Sequence, residues 1–259
     1  MTAARPEREV REQALPGAVP RFELDEWRER YGLVAGITGR GDGPGRGFDL
    51  GLWTEAPVGG VMSRWREFRA AEPGFNAVVL GNQVHRTEVA WYDRVDGWLQ
   101  VEGIDGHATN APGVLLTVTV ADCIPVFLAA PEHRAVALLH SGWRGTAGGI
   151  LDRGLRLLTA RAGCESGDVV MHCGVGICGA CYEVGPEVLE GLGLRGDGRG
   201  PWHLDLRERL ADRAIDLGIR EVTRSSWCSS HHRPLFYSHR GSGGADGRMV
   251  AYLEIPARR

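Results

Sequence analysis

The sequence predicts an α+β fold: one domain of mixed β-sheets flanked by helices. Three observations carry that prediction. Val114–Val120 and Ala135–His140 are continuous apolar runs rich in β-branched residues, as in strands buried on both faces. Residues 146–162 instead follow a helical period, with Ile150, Leu151, Leu155, Leu158 and Ala162 on one face. Strands and helices also alternate without a strict βαβ repeat, which argues against a doubly wound parallel sheet.

The elements follow in order. Residues 1–20, MTAARPEREVREQALPGAVP, carry charges and prolines but no apolar stretch. They predict a disordered leader, not a secretory signal, ahead of a domain over 21–259. A helix fits Glu23–Tyr31, a strand Gly32–Thr38 and a glycine-rich loop Gly39–Gly47. A second helix fits Val61–Ala71, where Trp65 and Phe68 share a face. Strands are expected at Asn76–Val84, Thr87–Tyr92, Gly97–Val101, Val114–Val120, Pro125–Ala129 and Ala135–His140. After the 146–162 helix come strand Val169–Gly174 and a Gly/Cys turn, then helices Gly185–Leu192 and Leu204–Leu217. Strands Glu221–Ser225, Leu235–His239 and Arg248–Ile255 close the chain.

Composition narrows the function. The 259 residues carry a net charge of −3 with 24% charged and 43% hydrophobic residues, so there is no electrostatic case for nucleic acid or an anionic membrane. The most apolar stretch, Val114–Ala130, is interrupted by Thr117, Thr119, Asp122 and Pro125, too often for a bilayer span. Without an export signal the expected compartment is the reducing cytoplasm. The six cysteines then read as thiols or metal ligands. A monomer or small homo-oligomer acting on small molecules is expected.

The reactive residues sit at strand ends. The strand through Ala77–Leu80 runs into Gln83 and His85, Val114–Val120 into Asp122 and Cys123, and Ala135–His140 ends on its own histidine. Rigid scaffolds present functional groups at such ends. His85, Cys123 and His140 make a His₂Cys set, and three N/S ligands with a fourth position open is the pattern of catalytic zinc. Arg144, between glycines in HSGWRG, suits an anion clamp. The helix expected from about Thr146 would add its N-terminal amides. Asp122 is read as orienting a histidine or relaying a proton. In the tail CSSHHRPLFYSHRG, Ser238 and Arg240 are candidates for the binding pocket. His231 and His232 would face opposite sides of a strand and so not share a metal. Cys173, Cys178 and Cys181 have the C-x₄-C-x₂-C spacing of an iron–sulfur site, with Cys228 as a fourth ligand. A plain turn is the simpler account of that segment.

The motifs NQVH, ADCIP, HSGWRG, GVGICGACYEVG and CSS…FYSHRG, in this order over about residues 30–255, resemble the YfiH/FAMIN family. Its members were formerly called multicopper polyphenol oxidases or laccase-domain proteins. The resemblance implies a fold similar to the catalytic domain of cytotoxic necrotizing factors. It implies zinc on His85, Cys123 and His140. It also implies phosphorolysis of adenosine, inosine, guanosine and methylthioadenosine, with adenosine deamination beside it. Gln83, Arg144, Ser238 and Arg240 then fall to substrate and phosphate. The chain departs from the family pattern at Asp49, which stands for its usual asparagine, in Gly174-Val175-Gly176-Ile177-Cys178, which stands for G-P-x-I-G, and in Tyr237-Ser238-His239-Arg240-Gly241, which stands for F-S-Y-R-R. Copper is the alternative metal, since His₂Cys also resembles a blue-copper set. However, the nine histidines include no H-x-H pair of the kind a laccase centre uses. Two rival readings stay open: a Cys–His amide hydrolase with Cys123 as nucleophile and His140 as base, and an iron–sulfur or redox module on Cys173, Cys178 and Cys181.

Overall fold

The structure is a computed structural model and describes residues 8–42, 47–72 and 74–257. The continuous apolar runs are strands buried on both faces. Along β10 (Ile124–Ala130), Phe127 and Ala129 enter one core while Val126, Leu128 and Ala130 enter another. Along β11 (Ala135–Ser141), Val136 and Leu138 are likewise separated from Ala137 and Leu139. β9 (Val114–Val120) and β16 (Met249–Glu254) alternate in the same way between the shared core and a third cluster. This two-sided burial follows from a layered architecture, with two sheets face to face and helices on both outer faces.

The first sheet has seven strands. In spatial order they are β1 (Arg8–Val10), β15 (Glu221–Ser225), β12 (Val170–Cys173), β10, β11, β8 (Gly106–Thr109) and β6 (Val89–Tyr92). The second also has seven: β2 (Gln13–Leu15), β3 (Arg21–Glu23), β4 (Val34–Thr38), β16, β9, β5 (Ala77–Asn82) and β7 (Gly97–Glu102). A short ribbon pairs β13 (Glu183–Val184) with β14 (Trp202–His203). Both large sheets mix parallel and antiparallel neighbours. Helix α1 (Asp25–Tyr31) sets Trp27 into the core between the sheets. Helix α2 (Val58–Ala71) covers the second sheet with Val61, Trp65 and Phe68. Helices α4 (Ile150–Ala162), α5 (Pro186–Gly191) and α6 (Leu206–Asp216) cover the first. No described helix is long and apolar enough to cross a membrane.

Three expectations are corrected and one unexpected strand is added. Residues 8–15, read as part of a leader, supply a strand to each sheet, and buried Glu12 between them accepts hydrogen bonds from Ser225 Oγ (2.7 Å) and His172 Nε2 (3.1 Å). Residues 1–7 of that leader, and 43–46 of the expected glycine loop, lie outside the described residues. The 146–162 helix is two helices, because Gly149 takes φ 81° between α3 (Trp143–Ala147) and α4. Leu235–His239 is a series of turns; Phe236 and Tyr237 are apolar because they plug the core between the sheets. Finally, β8 carried no apolar signal in Gly-His-Ala-Thr, yet all four residues are buried.

Candidate active site

Strand pairing gathers the reactive ends. β5 and β9 run parallel, so their C-terminal ends reach the same edge. The Gln83 amide locks them together, accepting from Thr119 N (2.7 Å) and Thr119 Oγ1 and donating to Thr119 O. The chain then turns through 121–123 into β10 of the other sheet. There Pro125 lies opposite His140 in the antiparallel register. Cys123, two residues before Pro125, falls on the face that carries the histidine. His85 arrives from the loop after β5. The ligand atoms of His85, Cys123 and His140 lie within 4.8 Å of one another. The two imidazoles meet edge to face at 4.8 Å between centroids.

Two residues here hold left-handed backbone, His85 at φ 59° and Asp122 at φ 90°. Such strain persists only where surrounding bonds over-determine it. For His85 the restraint is Asp105, a fully buried carboxylate that receives the N–H groups of Val84, His85 and Arg86 at 2.9–3.2 Å. The same carboxylate accepts from His140 Nδ1 at 2.9 Å. That bond sets the tautomer and leaves Nε2 of His140 for the site. Burial alone would raise the Asp105 carboxyl, but His140 and the backbone donors lower it. Four donors repay the desolvation of a charge that has no solvent contact.

Burial opposes ionisation of Cys123, yet the His140 charge and the hydrogen bonds from His140 and His85 outweigh it and bring the thiol down to about 6. Burial likewise opposes the charged form of His140, while Cys123 and Asp105 raise it to about 9. The result is a thiolate beside a histidine held by a carboxylate. Gly142 keeps the space open. A Cβ there would lie 3.0 Å from Cys123 Sγ and 3.4 Å from His85 Cδ2. Three convergent N/S donors, a carboxylate behind one histidine and no side chain at Gly142 fit a metal ion.

The three residues open onto a cavity of about 540 Å³. Arg144 reaches it with its guanidinium 4.3 Å over the Trp143 ring. Arg240 lines it too, bonded to Glu183 O at 2.6 Å and over the Tyr182 ring at 5.3 Å. Gln83 borders the cavity but commits its amide to Thr119. Other expected roles move. Ser238 is buried away from the cavity, its hydroxyl accepting from Gly241 N at 2.9 Å. Asp122 hydrogen-bonds no histidine among the described residues; it accepts from Ser229 Oγ and from Arg240 N, both at 2.6 Å, which fixes the turn carrying Cys123. Asp49 is buried and accepts from Gly51 N and Arg248 N, so it shapes a wall of the cavity from behind. A Cβ at Gly241 would meet Arg233 Cδ at 2.8 Å, so Arg233 takes the room beside it. The long helix does not aim its N-terminus here, since α4 starts only at Ile150.

Sequence reading missed Asp105, Trp53, Tyr182 and Arg248. Asp105 had one signal, a lone acid between Ile104 and Gly106 just before a strand. Trp53 lines the cavity and is 42% exposed.

The chain is similar to known proteins over most of its length. Residues 34–256 match the family described as multi-copper polyphenol oxidoreductase laccase. The chain is 33% identical over 247 residues to purine nucleoside phosphorylase YlmD of Geobacillus stearothermophilus, covering 86% of this chain and 90% of that one. It is 29% identical over 252 residues to adenosine deaminase RL5 from an unknown prokaryotic organism, covering 87% and 95%. The crystal structure of Bacillus licheniformis hypothetical protein YfiH superposes with a TM-score of 0.84 at 25% identity, covering 91% and 96%. The chain therefore belongs to the multi-copper polyphenol oxidoreductase laccase family, which includes the YfiH and YlmD proteins.

Proposed function

We propose that this protein is a purine nucleoside phosphorylase that holds zinc on His85, Cys123 and His140 and also deaminates adenosine. One observation carries the reading: three N/S donors converge on a cavity that also presents three arginines and aromatic walls. The names of the relatives give it the substrate class. About 540 Å³ suits a ligand of nucleoside size.

Zinc, when bound, supplies a Lewis-acid centre that polarises an oxygen or lowers the pKa of water. The chain supplies the rest. Arg144 and Arg240 hold phosphate, aligned against the sugar carbon whose bond to the base breaks. Positive charge grows on the ribose and negative charge on the base; the phosphate answers the first and a hydrogen-bond donor the second. Burial pushes the Tyr182 phenol up to about 12, so it stays protonated and able to donate at neutral pH. Trp53 and Trp143 flank the cavity and shield the reacting bond from water. Asp105 holds His140 in one tautomer throughout.

The test is product analysis of the metal-analysed protein with adenosine, inosine, guanosine and methylthioadenosine, with and without phosphate. Phosphate-dependent release of the free base is expected, together with phosphate-independent conversion of adenosine to inosine. Turnover only without phosphate, or none, overturns the phosphorylase reading.

A second reading, amide hydrolysis, is favoured by the order Cys123, His140, Asp105, which is that of nucleophile, base and orienting acid. His85 separates the two readings, since a dyad has no need of a second imidazole on the sulfur. If chelation leaves activity intact while alkylation of metal-free protein abolishes it, the hydrolase replaces the zinc enzyme.

A further inference from the structure

Behind the active site, four more ligand-type side chains converge. The C-x₂-C turn after β12 supplies Cys178 and Cys181. The turn after β15 supplies Cys228 and His231, in C-x₂-H spacing. Their four ligand atoms lie within 4.8 Å of one another. The iron–sulfur spacing read from the sequence does not form: Cys173 is buried in β12, outside this cluster, and His231 takes the fourth place. His231 is available because residues 229–235 are turns, so its direction is not tied to that of His232.

We infer that Cys178, Cys181, Cys228 and His231 form a second, structural zinc site. Four protein ligands of Cys₃His type, drawn from two tight turns, are the pattern of closed zinc sites. The sulfur–nitrogen distance agrees. A zinc ion with Zn–S of about 2.3 Å and Zn–N of about 2.0–2.1 Å in a tetrahedron separates sulfur from nitrogen by about 3.5 Å. Cys178 Sγ and His231 Nδ1 are 3.5 Å apart. The Cys228 sulfur also receives the backbone N–H groups of Cys178 (3.3 Å) and His231 (3.5 Å). Such donors stabilise a metal-bound thiolate and fix its direction. The mixed N/S set suits zinc better than an iron–sulfur cluster, which is held by thiolates in most sites. No disulfide joins any of these cysteines.

The cradle is braced on the protein side. Asp205 accepts from Gly179 N and from the buried Arg207, whose guanidinium also donates to Ser225 O and Trp227 O. Both turns then lead to the active site. Ile177 N donates to Asp122 O, Ser229 N to Gly176 O and Ser229 Oγ to Asp122 Oδ1. A metal at the second site clamps the turns that hold Asp122 at φ 90° beside Cys123. Its role is positional, because no ligand of this site except through that bonding reaches the catalytic cavity.

The test is zinc stoichiometry of the full-length chain, purified under reducing conditions, loaded with zinc and desalted. The unaltered protein is expected to retain two zinc ions. Cys178→Ser and His231→Ala should each lose one, and Cys123→Ser should also lose one while keeping the other. Alkylation mapping provides a check that does not depend on variants folding: Cys178, Cys181 and Cys228 should resist iodoacetamide until a chelator is added. One zinc in the unaltered protein that Cys178→Ser retains, full retention of two in Cys178→Ser, a Cys178 disulfide, or an iron chromophore each overturns the site. The ligand set His85, Cys123 and His140 is read separately: one zinc in the unaltered protein that Cys178→Ser loses and Cys123→Ser keeps would overturn that set and leave the second site standing.

Discussion

Asp105 Oδ1 lies 2.9 Å from His140 Nδ1, and the same carboxylate holds the backbone of Val84, His85 and Arg86. One buried side chain thus orients two of the three proposed zinc ligands, one through its ring and one through its main chain. Asp105→Asn keeps the volume and some of the accepting capacity but loses the charge. It should weaken zinc binding on the order of 10- to 100-fold, as expected for an outer-shell partner. Competitive zinc titration measures this, and thermal melts separate it from unfolding. Unchanged affinity in a folded Asp105→Asn would show that the carboxylate serves the loop alone.

Gly142 makes a sharper claim. Its φ of −84° and ψ of −179° are open to alanine, so backbone strain is not at issue. What alanine adds is one carbon, 3.0 Å from Cys123 Sγ and 3.4 Å from His85 Cδ2. Gly142→Ala should leave the melting temperature within a few degrees of the parent and cut turnover on the order of 100-fold, by displacing a ligand. Metal content and steady-state rates read the two effects separately. Parent-like turnover would mean that the site has slack.

Arg144 stacks on Trp143 and reaches the cavity without a bond to its floor. Arg144→Ala should raise the phosphate KM about 10- to 100-fold, the equivalent of one charge-assisted hydrogen bond. The nucleoside KM should move less, and added salt should weaken phosphate binding in the parent more than in the variant. Initial rates at varied phosphate check this. An unchanged phosphate KM would shift the clamp to Arg240 or Arg248.

Much of this was legible in the sequence because it follows from periodicity. Apolar runs such as Val114–Val120 announce strands buried twice, and three such runs lead to His85, Cys123 and His140. The rest depends on distant pairing. Asp105 is an ordinary aspartate until β8 pairs with β11 and brings it to His140. Glu12 looked like part of a polar leader because nothing local shows that Ser225 and His172 will bond it 160 or more residues away. His231 was set aside by a rule for strands, and the segment is a turn. Phe236-Tyr237 carried a strand's composition for a different reason, since a loop that plugs a core is apolar too.

Glu254 tests the electrostatics of the core. It sits at the end of β16, fully buried, and neither carboxylate oxygen has a hydrogen-bond partner among the described residues. Burial and the neighbouring Glu72 and Glu23, against the pull of Arg28, push its carboxyl up to about 7 from the ordinary 4.5. Between those values the folded chain keeps a proton that the unfolded chain has released. The pH-dependent penalty of Glu254 is therefore absent below about pH 4.5, and it grows progressively as the pH rises towards 7. The full penalty, reached above about pH 7, is on the order of 3 kcal/mol. Glu254→Gln removes the titration and keeps the shape. Its melting temperature should exceed the parent's by several degrees at pH 8, and the gap should shrink on acidification to pH 5. Calorimetry across that range checks it. A gap that does not change with pH would mean that Glu254 titrates as it does in water.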